Sequence, residues 1–136
     1  MNKNTLLIAL AVIIAIGAFA YIRMQPNNST GNAMVEVQSP RLDEQQMVGK
    51  ELFDANCAAC HGENAAGRDG IAPPLIHDIY KPSHHADIAF VLAAQNGVRA
   101  HHWPFGNMPA IETVDEKDVL SIIEYIRALQ VANGIE

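Results

Sequence analysis

The sequence predicts an all-α domain of three main helices and long loops, preceded by a single N-terminal transmembrane helix. Three observations carry this. Apolar residues recur at helical spacing in three separate segments, and no segment alternates convincingly enough for a strand. Residues 62–82 and 97–112 are rich in Gly and Pro and read as long loops. From Leu6 to Ile22 the chain runs 17 residues without a charge.

That uncharged run, bounded by Lys3 and Arg23, extends to about 26 Å as a helix, close to the lower limit for crossing a bilayer core. Residues 1–23 are therefore read as an anchor, with Tyr21 suited to the membrane interface. A cleaved signal peptide is the other reading, and Ala18-Phe19-Ala20 fits its small-x-small cleavage site. Either one exports the rest of the chain. Residues 24–39, rich in Asn, Ser, Thr and Gly, read as a flexible linker ahead of a domain over 40–136.

Charge is unevenly placed. The 136 residues carry 9 basic and 15 acidic side chains, a net −6, and all the acidic ones lie at Glu36 or later. Without Lys3 and Arg23 the remainder has a net charge of −8. A nucleic-acid module with a broad basic face is excluded on that balance.

Ser39-Pro40 looks like a cap followed by a proline at the first helical position, opening a helix to about Asn56 with Val48, Gly49, Leu52 and Phe53 on one side. A second helix is expected from about His84 to Asn96, capped by Ser83 and stopped at Gly97. In the third, Thr113 and Glu116 fit a capping box, and Val119, Ile122, Ile123, Ile126 and Leu129 form an apolar stripe. Three helices make a thin core for a domain of this size. A large internal prosthetic group would supply the missing apolar volume.

Cys57-Ala58-Ala59-Cys60-His61 supplies that group, because Cys-x-x-Cys-His is the attachment signature of c-type haem. Its spacing suits two thioether bonds to one macrocycle, with the next imidazole on the iron. The rival readings fit less well. A redox dithiol wants a βαβ setting, and a structural zinc site wants two further spaced ligands. For the sixth iron ligand, Met108 stands out. It lies 47 residues after His61 in a polar loop bounded by Gly106 and Pro109, where a thioether is a poor choice for core packing.

The pairs His84-His85 and His101-His102 leave three readings open. They are polar surface, a copper or zinc site, or an alternative iron ligand. Neighbours on a helix point about 100° apart and do not easily share one ion, which favours the surface reading. Trp103 either lines a haem edge or fills a loop core.

From about Arg41 to Val131 the chain resembles a class I c-type cytochrome, on Cys57, Cys60 and His61 followed by Met108-Pro109 ahead of a C-terminal helix. The resemblance implies the class I cytochrome c fold around one covalent haem c. It also implies a helix crossing in which Gly49 and Phe53 meet Ile122 and Tyr125. In Ala72-Pro73-Pro74-Leu75 it implies a carbonyl donated to the proximal imidazole, with Pro73 as the residue that supplies it. His101-His102-Trp103 has no counterpart in the family pattern.

The expected function is one-electron transfer on the outer face of a bacterial inner membrane, without enzymatic activity of its own. If the chain is cleaved after Ala20, it is a soluble periplasmic carrier instead. A quinol-oxidising complex or a dehydrogenase would be the donor, and a terminal oxidase or reductase the acceptor. The alternatives are a haem subunit of a larger membrane oxidoreductase, a ligand sensor or peroxidase with an open iron site, and a metal-handling protein using its histidine pairs.

Overall fold

A computed structural model describes residues 31–136, together with the isolated positions Asn2 and Gly17. The predicted transmembrane helix over residues 1–23 lies outside the described residues. Among those that are described, no helix is long and apolar enough to cross a membrane.

The domain is all-helical. Four helices are described: α1 (Glu44–Asn56), the single turn α2 (Ala58–His61), α3 (Asp87–Asn96) and α4 (Glu116–Ala132), with short 3-10 turns at Glu63–Ala65 and Asp78–Tyr80. Strand-like pairing among the described residues is limited to two isolated bridges, Arg68 with Ala72 and Val98 with Met108.

All three main helices begin later than their sequence signals suggest. At α1 the cap is Asp43, not Ser39. Its carboxylate accepts from Gln46 N at 2.9 Å, while Gln46 Oε1 accepts from Asp43 N at 3.0 Å. This reciprocal pair satisfies two orphan donors, which Pro40 cannot do. The same device starts α4 at Asp115, with Asp118 as its partner. Thr113 is thereby free to donate its hydroxyl to Asn56 Oδ1 at 2.7 Å, fastening the second loop to the end of α1. Before α3, residues 81–85 form a turn in which the N–H groups of His84 and His85 both reach Lys81 O. The helix itself opens only at Asp87, behind Ala86.

The core sits where α1 crosses α4. A Cβ on Gly49 would lie 2.0 Å from Ser121 O, so only glycine lets the two backbones meet there. One turn on, the rings of Phe53 and Tyr125 pack at 5.6 Å and 58°, both fully buried. The stripe Val119, Ile122, Ile123, Ile126 and Leu129 is buried along its whole length. Val48, expected beside Gly49, is instead 47% exposed.

Part of the expected linker packs against the domain. Met34 and Val35 donate to Ala66 O, and Gln38 pairs with the Asn133 side chain in both directions at 2.9 Å. Val35 and Val37 rest on the core. The two valines and these hydrogen bonds together hold it down.

Candidate haem site

The Cys-x-x-Cys-His segment is formed by a helix that breaks and restarts. At Cys57 the backbone stretches to φ −119°, still in the right-handed region, while its N–H reaches Phe53 O, and α2 then runs one turn to His61. Gly62, at φ +76°, ends that turn where a Cβ would lie 2.6 Å from Gly67 O. No disulfide joins Cys57 and Cys60, and Cys60 is exposed. Burial, then the neighbouring Cys60, pushes the Cys57 thiol up to about 11, so it is protonated at neutral pH.

His61 donates its Nδ1–H to Pro73 O at 2.9 Å. That bond assigns the tautomer and leaves Nε2 as the nitrogen with a lone pair. Burial lowers the imidazole's pKa, and the Pro73 carbonyl opposes the shift. Loop 62–76 is braced for this task. Gly67 N reaches His61 O at 2.7 Å, Leu75 N reaches Ala65 O at 2.9 Å, and Tyr125 OH donates to Asn64 Oδ1 at 3.0 Å. The carboxylates of Asp54 and Glu63 add to burial in pushing the Tyr125 hydroxyl up to about 12, so it stays a donor.

The second loop is pinched shut at its base. Val98 and Met108 exchange two backbone hydrogen bonds of 2.9 Å. Gly97, at φ +73°, lies where a Cβ would meet Met108 O at 2.5 Å. This pins the backbone of Met108 against the end of α3. A cavity of about 530 Å³ is lined by Cys57, Cys60, His61 and Pro73 together with Met108 and Trp103. Apolar side chains from α3 and α4, among them Leu92 and Ile126, complete it. Its size falls within the range of cofactor pockets. The donor set of two thiols, an imidazole and a thioether matches what a covalently bound haem requires.

Sequence reasoning missed the tether that positions the wall between α2 and α3. Arg127 Nε donates to Asp87 Oδ1 at 2.9 Å, Nη1 to Tyr80 O at 2.7 Å and Nη2 to His85 O at 2.6 Å. Its guanidinium also lies 4.9 Å from the Phe90 ring centroid. Gln130, 1% exposed, donates to Leu75 O and Tyr80 O. The available signal was a cation and an amide on the buried flank of an apolar helix.

The histidine pairs are not on a helix. His84-His85 in the turn before α3 and His101-His102 in the second loop face one another, with ring centroids of His84 and His102 5.6 Å apart. Trp103 meets His77 edge-on at 5.2 Å and stacks on Phe105 at 5.9 Å.

A model of the cytochrome c family matches residues 46–130. Over 33 residues the chain is 54% identical to the Cbb3-type cytochrome c oxidase subunit CcoP of Azospirillum brasilense, a stretch covering 21% of this chain and 11% of that protein. The match thus spans about a tenth of that relative's length.

Proposed function

Since the chain belongs to the cytochrome c family, which binds haem c covalently, we propose that it is a one-electron carrier with His/Met axial ligation and not an enzyme. One observation carries the reading. His61 and Met108, 47 residues apart in sequence, line the same apolar cavity as both cysteines. When bound, haem c supplies a one-electron couple at its iron. The thiols of Cys57 and Cys60 would hold the macrocycle through thioether bonds. His61 would ligate through Nε2, its ring oriented by Pro73 O, and Met108 through its sulfur. The apolar walls exclude water, and a low dielectric disfavours the extra charge of the ferric state, which raises the potential.

Residues 1–23 would anchor the domain on the outer face of a bacterial inner membrane, a reading supported by their uncharged run. Retention of Met1 in the mature protein and resistance to carbonate extraction test it. A mature N-terminus at Tyr21 would make the protein a soluble periplasmic carrier. Donors would be a quinol-oxidising complex or a dehydrogenase, and the acceptor a terminal oxidase or reductase. The 33-residue similarity to an oxidase subunit favours a second reading, a haem subunit of a larger membrane oxidoreductase. Co-purification of partner chains in mild detergent separates the two.

The ligand set is tested by spectrum and redox titration. Met108→His should keep a six-coordinate low-spin haem but lower its potential by about 100 mV or more, because imidazole favours ferric iron more than thioether does. Met108→Ala should open the reduced iron to carbon monoxide. An unchanged spectrum and potential in Met108→Ala would show that another residue ligates the iron.

A further inference from the structure

Beside the cavity, which His85 and His102 help to line, stands a group of side chains that electron transfer does not use. One ring nitrogen from each of His84, His85 and His102 lies within 4.8 Å of the other two. We propose that these three imidazoles bind a first-row transition-metal cation, Cu²⁺ most tightly and then Zn²⁺, with the His101 ring packed against His102 beside them.

The sequence offers a copper or zinc site as one reading of the pairs but does not show that they meet, since they are 16 residues apart in different loops. Each loop is braced independently. The His84-His85 turn is closed by two bonds to Lys81 O and held from α4 by Arg127, whose Nη2 donates to His85 O. The His101-His102 loop is closed by the Val98–Met108 pair and by Ala100 N donating to Asn107 Oδ1 at 2.9 Å. The rings are thus delivered by scaffold rather than by chance contact of mobile tips.

Two of the imidazoles already have the outer contact that ligating histidines characteristically make. His85 Nδ1 lies 2.5 Å from Ile79 O and His101 Nδ1 lies 2.8 Å from Arg99 O. A carbonyl accepts only from a protonated nitrogen, so both rings carry the proton on Nδ1 and keep a lone pair on Nε2. His85 Nδ1 also lies 2.9 Å from His84 Nδ1, which accepts from it, so that contact must open if His84 is to ligate through Nδ1. His101 packs on His102 with centroids 4.2 Å apart, and 6.5 Å separates its ring from that of His85.

The nitrogen spacing suits an ion of this class. Metal–nitrogen bonds near 2.0–2.1 Å put ligating nitrogens about 3.4 Å apart in a tetrahedron and about 4.1 Å across a square plane. His84 and His102 are exposed, so small rotations of their side chains close the remaining gap. The cluster includes no carboxylate. An all-imidazole set selects copper, zinc and nickel over magnesium and calcium, and copper stands highest in the affinity order.

The experiment uses the haem-loaded full chain in mild detergent, dialysed against copper(II), zinc(II) or magnesium(II) salts and then analysed for bound metal. One equivalent of copper or zinc and no magnesium is expected. The copper form should show nitrogen hyperfine splitting from at least three imidazoles in its electron paramagnetic resonance spectrum. His84→Ala with His102→Ala should weaken copper binding by about tenfold or more, whereas His77→Ala, outside the cluster, should leave it unchanged. Equal binding by the double variant would overturn the site, as would no stoichiometric uptake by the unaltered protein. A changed haem absorption spectrum in the double variant would also overturn it, by assigning one of these histidines to the iron. The single exposed change His84→Ala serves where the double variant folds poorly, and it should lose one nitrogen from the copper spectrum.

Discussion

Where α1 crosses α4, Phe53, Tyr125, Ile126 and Leu129 are each exposed by 1% or less, and Gly49 brings the two backbones into contact. By contrast, α3 buries Val91 but leaves Ile88 59% and Leu92 49% exposed. The first region buries its apolar surface by helix packing, although Phe53 and Ile126 also reach the cavity. The second is a wall: its loop is closed by backbone hydrogen bonds at Val98 and Met108, and Leu92 turns towards a cavity sized for a cofactor. A domain of this length cannot bury two full cores. It builds one from helix packing and lets the covalently bound group complete the other.

The largest expected effect removes that group. Replacing Cys57 and Cys60 together by Ala should abolish haem staining on denaturing gels of the exported protein, because no thioether can form. Haem that stays on the denatured chain would refute covalent attachment through this pair. The helix crossing is attacked instead by Gly49→Val. Its added atoms meet the Ser121 carbonyl, and overpacking of this kind should destabilise the haem-loaded protein by about 3 kcal/mol in urea unfolding. If the variant keeps its haem and loses only stability, the two regions are energetically separate.

Between them sits Gln130. Gln130→Leu would strip the amide donor from Leu75 O and Tyr80 O and the acceptor from Arg127, an expected cost of about 2 kcal/mol in the same unfolding assay. A loosened link between α4 and the cavity wall should also broaden the resonances of residues 78–86 in nuclear magnetic resonance spectra. The smallest effect is expected at Lys50, which pairs with Asp54 at 2.5 Å on the outer face of α1, where both side chains are over a third exposed. Lys50→Ala should shift stability by less than about 0.5 kcal/mol, and a larger loss would mean that the crossing depends on more than its buried face.

Legibility in the sequence followed the range of the interaction. The α4 stripe was readable because apolar residues spaced three and four apart must share one helix face. Helix starts were misplaced by a few residues because several capping signals compete locally. Asp43 with Gln46 makes a reciprocal pair that Ser39 does not, and Asp115 with Asp118 displaces Thr113 with Glu116. Residues 24–39 read as a flexible linker because composition does not register that Val35 and Val37 find a surface to rest on.

By itself the sequence determined the attachment motif, the methionine in its Gly- and Pro-bounded loop, and three amphipathic helices with too little core between them. Each of these is written in residues close together along the chain, where covalent geometry does the placing. The tertiary structure alone decided that Arg127 and Gln130 fasten the wall, that Gly97 gives way to the Met108 backbone, and that two histidine pairs meet beside the cavity. Those contacts join separate stretches of chain. No local spacing encodes them, because they exist only once helix packing has met the entropy of closing the loops between them.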